Sequence, residues 1–429
     1  MKKHLRTLTS QYGAREARLA WRTWSLTVVA LLASLLPMAA QDFSNWTAGA
    51  GSWDGEGNWD NGVPSPATSA YFNNSGTANV SVGVSSTFIS LQMGTTFHGG
   101  GTVNISGGHL EGVDTGVSAM IGQAEDTHAV VNMTSGTWNN AGEIKLAAGP
   151  SDGTVNLSGG LLTSANVYIA VAEGGRGIVS VSGGTWNAAD ISVGTSAVGS
   201  LNISGGLVTS SGNFGAEVGS SSGARGTVLV TGGTWNNNGG MFIGASGTGS
   251  MRIEAGTVAS VNSAIGFDSR SHGAVTVTGS DATWTNSGYL KVGVFGSNAT
   301  LTLEDGGLTQ VVGDLTFSEA GGTGNYIRLN GGYIALFSDR ISEIEGLIAQ
   351  GVFQVWNGTA WESATDTNAF SYGYFLSDEA AEAFCNREGL GSYTILTATS
   401  NAVPEPTTWA LLGLGTAVLG FQIRRRQTA

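Results

Sequence analysis

A nine-residue phrase recurs about ten times between Thr102 and Leu336, at intervals of 22 to 28 residues. Clear copies read TVNISGGHL at Thr102–Leu110, TVNLSGGLL at Thr154–Leu162 and IVSVSGGTW at Ile178–Trp186. Each copy opens with alternating apolar residues, and a period of two predicts a β-strand with one buried face. The Gly-Gly or Ser-Gly that follows permits a positive φ and therefore a sharp corner. Self-similarity at this period is typical of a repeat fold.

One unit holds too few apolar residues to form a core alone, so stacked units must share one. The repeats therefore predict an all-β fold, a parallel β-helix or β-solenoid of about ten coils in which equivalent strands of successive coils pair. We expect a right-handed winding, because parallel crossovers are almost always right-handed. The alternative is a β-propeller, since the phrases also pair into a period of about 49 residues, close to a kelch blade. The kelch and WD signatures are absent, which favours the solenoid.

The sequence on either side of the repeats predicts two caps. Residues 41–101, which include an aromatic cluster at Trp46, Trp53 and Trp59, are interpreted as an N-terminal cap and the first coils, with strands near 79–82 and 88–93. Residues 102–337 are the solenoid repeats. Residues 338–400 are interpreted as a small α+β C-terminal cap, because helical spacing first occurs at 339–350.

Three further features of the C-terminal cap follow from local signals. Asn357-Gly358 predicts a hairpin. Ser377 would cap a second helix over 378–387, which Gly389 would end. Residues 392–399 predict a final strand.

The first 40 residues have the composition of a secretory signal peptide. Six basic residues between Lys2 and Arg22 precede the apolar stretch Ser25–Leu36, and small residues lead to Ala40. This order predicts export, with cleavage after Ala40.

The C-terminal tail has three parts in a fixed order: Pro404-Glu405-Pro406, the apolar run Thr407–Ile423, and the basic cluster Arg424, Arg425 and Arg426. An apolar run of this length is at the lower limit for a membrane-spanning helix, so 407–423 is a candidate transmembrane segment. The arginines would stay in the cytoplasm and leave the preceding chain outside.

This tail, residues 403–426, resembles the PEP-CTERM sorting domain of Gram-negative bacteria. The resemblance implies that the partners are the export machinery and an exosortase-type membrane protease that removes the tail near Pro404–Pro406. It also implies transient anchorage in the inner membrane, a destination at the cell envelope, cell surface or extracellular matrix, and a host that makes extracellular polysaccharide. The alternative is a plain C-terminal anchor.

The charge of the processed chain indicates which classes of partner it can bind, and its cysteine content indicates whether it can form a disulfide. Residues 41–403 contain 9 basic and 29 acidic residues. An acidic surface argues against nucleic acid and anionic membranes as partners, so membrane contact is expected only through the C-terminal segment. The one cysteine, Cys385, excludes an intrachain disulfide, and we expect it to be a small buried residue rather than a nucleophile.

Catalytic and metal-binding patterns are not found in the sequence. The acids of the repeats are scattered at one per coil or fewer, whereas polysaccharide lyases and hydrolases need clustered acids, often with calcium, and a base; these acids are Asp152, Glu173, Asp190, Glu217, Glu254 and Asp268. The five histidines, among them His98 and His109, do not show metal-ligand spacing. Arg176 and Arg225 occupy equivalent turns and are interpreted as solvated turn residues rather than a basic stripe. We therefore predict no catalytic, cofactor-binding or metal site.

These observations favour an exported solenoid with a structural role, or a role in binding glycan or a partner molecule along one coil face, without catalysis. One alternative is a polysaccharide lyase or hydrolase of the parallel β-helix type, which requires three or more acids and a base on one face. Another is an autotransporter-like adhesin, which needs a C-terminal membrane domain larger than the last 90 residues can supply.

Tryptophan recurs at one position in every second unit, at Trp138, Trp186, Trp235 and Trp284, with Leu162, Val208, Val258 and Leu308 at that position between them. Outside the solenoid, the rings would form a ladder able to stack on sugars. Inside, each indole would lie between smaller aliphatic layers. Strict alternation from Val131 and Met133 would place Trp138 outside, but a glycine corner can reset the parity. The aliphatic residues in the intervening units favour the inside position.

Processing at both ends predicts a mature chain that begins near Gln41 and ends near Pro404. Intact-mass measurement of the protein from its native host checks this. A chain that still carries Arg424–Arg426 would contradict removal of the tail and favour a plain anchor.

Overall fold

The computed structural model describes residues 42–295, 298–317 and 324–398. The predicted signal peptide with Ala40 and the predicted tail with its segment 407–423 lie outside these residues. Within the described ranges, no helix is both long enough and apolar enough to cross a membrane.

The central coils each contribute strands to three faces of a parallel β-solenoid, and each of these strands pairs with its equivalents in the neighbouring coils. Asn156, for example, pairs in parallel register with Asn132 of the previous coil and Ser180 of the next. The solenoid has about 12 turns, more than the ten that the phrases predict, because coils begin before Thr102 and continue after Leu336. The right-handed winding stays a prediction.

Face A holds the strands that open each phrase: Ala50–Ser52, Thr77–Ser81, Asp152–Leu157, Arg176–Val181, Val198–Ile203, His272–Thr278, Asn298–Glu304, Tyr326–Asn330 and Phe353–Trp356. Face B follows the glycine corner: Ser85–Phe88, Leu161–Thr163, Thr185–Ala188, Leu207–Ser210, Ala282–Asn286, Leu308–Val311 and Tyr333–Phe337. Face C closes the coil: Thr68–Phe72, Leu91–Met93, Val117–Ile121, Glu143–Leu146, Val167–Ile169, Ile191–Val193, Ala216–Val218, Leu290–Val292 and Leu315–Phe317. Four strands run through one or two corners: Gly100–Gly112, His128–Asn140, Arg225–Ile243 and Thr248–Ile265.

The two glycines of the A–B corner are needed for different reasons. Gly160 has a φ of +85°, a conformation that side chains with a Cβ rarely adopt. At Gly159, a Cβ would lie 2.2 Å from the carbonyl oxygen of Thr134 in the previous coil. The first glycine therefore allows coils to approach, and the second allows the chain to turn.

The glycine corner also decides which side of the sheet the tryptophans occupy. Met133 faces the core, and strict alternation would direct Trp138 outward, but Gly136 at φ +86° resets the parity. Trp138, Trp235 and Trp284 are 0% exposed and Trp186 is 1% exposed. The inside position is confirmed.

The core layers between the tryptophans contain smaller side chains, but the residue predicted next to Trp284 differs from the one observed. Trp186 pairs with Leu162 and Val208, as expected. Trp284 pairs with Val258 on one side but with Thr309, not Leu308, on the other. The assignment of Leu308 was wrong because both Asp305 and Gly306 have positive φ, which shifts the strand by one residue. Leu308 packs instead against the C-terminal cap.

A row of polar side chains lies inside the solenoid, two residues along the chain from each tryptophan or from the smaller residue at the equivalent position. Its buried members include Asn140, Ser210, Asn237, Ser260 and Asn286. Trp235 Nε1 donates a hydrogen bond of 3.1 Å to Ser210 Oγ, which donates one of 2.7 Å to Asn237 Oδ1. The repeat phrase did not predict this row, because serine and asparagine at a strand end are also typical of solvated turns.

An asparagine ladder lies on the outside of face A. Asn104, Asn132 and Asn156 each donate from Nδ2 to the Oδ1 of the equivalent asparagine one coil earlier, over 2.9–3.0 Å, and the first acceptor is Asn79. Each of these asparagines begins an Asn-X-Ser/Thr sequence and faces away from the core.

Aromatic side chains close the N-terminal end of the core. Trp46, Trp53 and Trp59 are buried and pack with Phe72 and Phe88 at ring-centroid distances of 5.0–5.9 Å. Strand Asp42–Asn45 and the 3-10 turn Glu56–Asn58 frame this cluster. Because the rings fill the interior of the first coils, we infer that they shield an otherwise open solenoid end.

The C-terminal cap combines two helices with antiparallel strands. Helix Ile341–Ala349 and the hairpin Phe353–Trp356 with Trp361–Ser363 confirm the predicted helix and turn. After the 3-10 turn Thr367–Ala369, strand Tyr393–Thr397 pairs antiparallel with Ser371–Phe375 and with Tyr333–Phe337 of face B.

The second cap helix is shorter than predicted. Ser377 accepts from Ala380 N at the start of helix Asp378–Cys385, as expected. Asn386, at φ +55°, ends the helix before the predicted Gly389, because asparagine also tolerates the left-handed conformation.

We predict that Trp186→Ala lowers the free energy of unfolding by about 3–5 kcal/mol, because it leaves a cavity between two aliphatic layers. Guanidinium unfolding measures this. The control is Asn187→Ala at the exposed neighbouring position, which should change stability by under about 0.5 kcal/mol. Equal effects of the two substitutions would contradict the filled core.

Candidate functional site

A shallow groove on the outside of face C is the candidate site. Its lining residues are Asn166, Tyr168, Asp190, Ile191, Ser192, Phe214, Gly215 and Glu217. Tyr168, Ser192 and Glu217 are outward residues of three successive strands in parallel register. Their neighbours Val167 and Ile169 face the core, so the alternation of each strand fixes the outward direction.

A turn before strand Ala216–Val218 forms one wall of the groove. Asp190 Oδ1 accepts a 2.6 Å hydrogen bond from Gly215 N, and Gly215 has a φ of +70°. The turn presents Phe214 to solvent with 70% of its surface exposed. Asp190 therefore has a structural role in holding the turn on which Phe214 is carried.

Tyr168 also lines the groove, and its hydroxyl accepts a hydrogen bond from a neighbour. Asn166 Nδ2 donates a 3.3 Å hydrogen bond to Tyr168 Oη. Lys145 Nζ lies 5.7 Å from the tyrosine ring centroid and 3.0 Å from Glu143 Oε2. The lysine charge is thus shared between a carboxylate and the ring.

Of the six scattered acids, only Asp190 and Glu217 lie in the groove. Asp152 pairs with His128 at 3.0 Å and Glu254 with Arg252 at 2.7 Å, both on face A. Asp268 accepts from Ser269 N within its own turn, and Glu173 is exposed and does not line the groove. Over the residues that the structure describes, no cluster of three or more His, Cys, Asp or Glu is arranged to hold a metal ion.

The remaining polar candidates are separated from the groove and from each other. His109 Nδ1 hydrogen-bonds Thr137 Oγ1, and His98 contacts the Phe97 ring. Arg176 and Arg225 are exposed, and Val198 lies between them in the column. His128 and Asp152 occupy the equivalent positions in the two coils before Arg176. This row of stacked residues therefore contains an acidic residue as well as the arginines and is not a basic stripe.

The groove residues Tyr168 and Phe214 were not identified from the sequence. The available signal for Tyr168 was an aromatic residue at the outward position of the strand Val167–Ile169. For Phe214 the signal was an apolar ring in a Gly- and Ser-rich turn, where burial is not expected.

Cys385 and Arg387 belong to the C-terminal cap rather than to a site. Cys385 is buried and donates from Sγ to Ala381 O over 3.1 Å, which confirms the expected small buried residue. Arg387 reaches the carbonyl oxygens of Ala282 and Gly306 at 2.9 and 2.7 Å. The arginine ties the cap to two coils, and burial lowers its pKa.

We predict that the Cys385 thiol resists alkylation in the folded protein. Burial raises the pKa of the thiol, so at a given pH less of it is present as the reactive thiolate, and the reagent also lacks access. Iodoacetamide labelling followed by mass spectrometry at pH 8 should be slow in buffer and fast in guanidinium. Equal rates in the two solvents would contradict the buried position.

Residues 402–426 match the PEP-CTERM protein-sorting motif. Comparison with curated proteins and with solved structures finds no match for the chain. The match covers the tail identified from Pro404–Pro406, the apolar run and the arginine cluster, and this motif indicates an exported protein that is sorted by an exosortase. The chain is therefore a parallel β-solenoid that carries a PEP-CTERM sorting signal.

Proposed function

We propose that this exported solenoid binds an extracellular glycan in the face C groove, without catalysis. The observation that carries the proposal is the convergence of two aromatic rings, Tyr168 and Phe214, with the polar side chains of Asn166 and Glu217 in one solvent-open groove. Aromatic rings pack against the C–H faces of sugars, and amide, hydroxyl and carboxylate groups hydrogen-bond sugar hydroxyls. Export by the PEP-CTERM route agrees with a ligand outside the cell.

The groove is preorganised by its scaffold. Tyr168 and Glu217 project from strands paired on both sides, and the turn carrying Phe214 is held by Asp190. Rigid side chains lose less conformational entropy on binding, which supports affinity from a shallow surface. The same rigidity suits a structural component of an extracellular matrix.

The second candidate is a glycoside hydrolase, because Asp190 and Glu217 lie in the same groove and such enzymes use two carboxylates. Asp190 is already an acceptor for Gly215 N, which leaves Glu217 as the groove carboxylate without such a structural role. A general acid and a nucleophile or base must both reach the glycosidic bond. We therefore favour binding without turnover.

We predict that Tyr168→Ala and Phe214→Ala each weaken glycan binding about tenfold, the scale expected for loss of one aromatic contact. Isothermal titration against the host's extracellular polysaccharide and a panel of oligosaccharides measures this. The matched control is Phe97→Ala, a 58% exposed ring outside the groove, which should bind as the wild type does. Unchanged binding by both groove variants would refute the site.

The absence of turnover is tested separately. We expect no release of reducing ends or unsaturated products from the same panel, with calcium present. Activity that Glu217→Gln abolishes would make the hydrolase the correct function.

A further inference from the structure

Three phenylalanines, one half-buried and two exposed, form a row beside the groove. Phe242 lies on face C, and Phe267 and Phe295 follow the face C strands of the next two coils. The ring centroids of Phe242 and Phe267 are 5.2 Å apart, and those of Phe267 and Phe295 are 5.5 Å apart, with near-perpendicular planes. Phe267 is 37% and Phe295 57% exposed. Contiguous apolar rings on the surface of an exported protein are typical of a binding surface.

The row is continuous with the groove. Phe242 pairs in register with Glu217, one coil earlier. A Cβ on Gly240 would lie 2.9 Å from the Phe242 ring and 3.5 Å from the carbonyl oxygen of Phe214, so Phe242 lies next to the segment that carries Phe214. From Tyr168 to Phe295 the surface crosses five coil steps, or about 24 Å at the usual strand spacing. We call this surface, Tyr168, Phe214, Phe242, Phe267 and Phe295, the aromatic track.

We propose that the aromatic track binds one linear, uncharged glycan whose chain runs along the solenoid axis, with the groove holding only one end of it. This inference rests on the proposed glycan-binding function and specifies its ligand and direction. One coil step of about 4.8 Å is close to the length of one sugar in an extended chain. Successive sugars therefore meet successive coils, and their contacts accumulate.

The acidic residues around the track favour an uncharged ligand. The carboxylates of Asp190 and Glu217 line the groove, and Asp268 follows Phe267 directly. Two lysines flank the track and each already has a partner: Lys145 pairs with Glu143 at 3.0 Å, and Lys291 lies 4.6 Å over the ring of Tyr289. The segment 41–403, with 9 basic against 29 acidic residues, would repel a glycan that carries uronic acids.

Geometry and charge disfavour a second copy of the chain as the occupant. The row consists of three rings, whereas a stable protein interface buries about 800 Å² on each partner. Two copies would also bring surfaces of the same sign together. A narrow ridge that follows a repeating axis fits a repeating polymer better.

The test is a titration series with linear neutral oligosaccharides, namely β-linked glucose, xylose and mannose oligomers of two to eight sugars, against uronic acid oligomers of matched length. We expect affinity for a neutral series to rise at least tenfold from the trimer to the hexamer and then level off, because the track spans about six sugars at one per coil. The uronic acid oligomers should bind at least tenfold more weakly.

Variants separate the track from the groove. The double variant Phe267→Ala/Phe295→Ala should reduce hexamer affinity to the trimer level and leave trimer affinity unchanged, whereas Tyr168→Ala should weaken both. Phe97→Ala is the control, and thermal unfolding checks that all variants are folded.

Binding that is independent of oligomer length, or that is unaffected by the double variant, would overturn the track. The groove would then remain as the proposed binding site. Binding of uronic acid oligomers as tight as that of the neutral ones would overturn the uncharged ligand. No binding by any oligomer would overturn both proposals. A dimer in sedimentation that the double variant abolishes would overturn the track alone.

Discussion

The in-register pairing of each strand with the strands of the coils before and after it determines the rest of this structure. Because residue equivalents stack directly, as Asn132, Asn156 and Ser180 do, each position of the repeat becomes a column along the molecule. Inward columns fill the core, and outward columns form the asparagine ladder and the groove. The described chain holds these columns together by backbone ladders and packing, with a single free, buried cysteine.

The sequence was informative wherever structure depends on short-range chemistry. Alternation of apolar residues predicts the face A strands, and glycine predicts the corner that returns Trp138 to the interior. The assignment of Leu308 failed because a left-handed Asp305 looks like any polar turn residue. The candidate groove could not be predicted, since coils of 22 to 28 residues obscure which outward residues become neighbours. Tyr168 and Glu217 are brought together only by pairing across three coils.

The acids of the molecule illustrate why composition alone does not define a site. Asp190 lies in the groove but holds a turn through Gly215 N, Asp152 pairs with a histidine, and Glu254 pairs with an arginine. Most of the acids considered from the sequence thus have local partners, and the surface that remains distinctive is aromatic. Tyr168 and Phe242 project from face C strands, and Phe214, Phe267 and Phe295 lie in the turns beside those strands.

The alternation of tryptophan with smaller residues in the core makes two coils, rather than one, the unit of growth for this array. Removing a single coil between Trp138 and Trp186 would bring two indoles into adjacent layers, and adding one would place two small layers together. Either change disturbs the volume balance of a close-packed interior. Gain or loss of two coils preserves the order of large and small layers. Lengthening or shortening of this solenoid, in evolution or by design, should therefore proceed in pairs of coils.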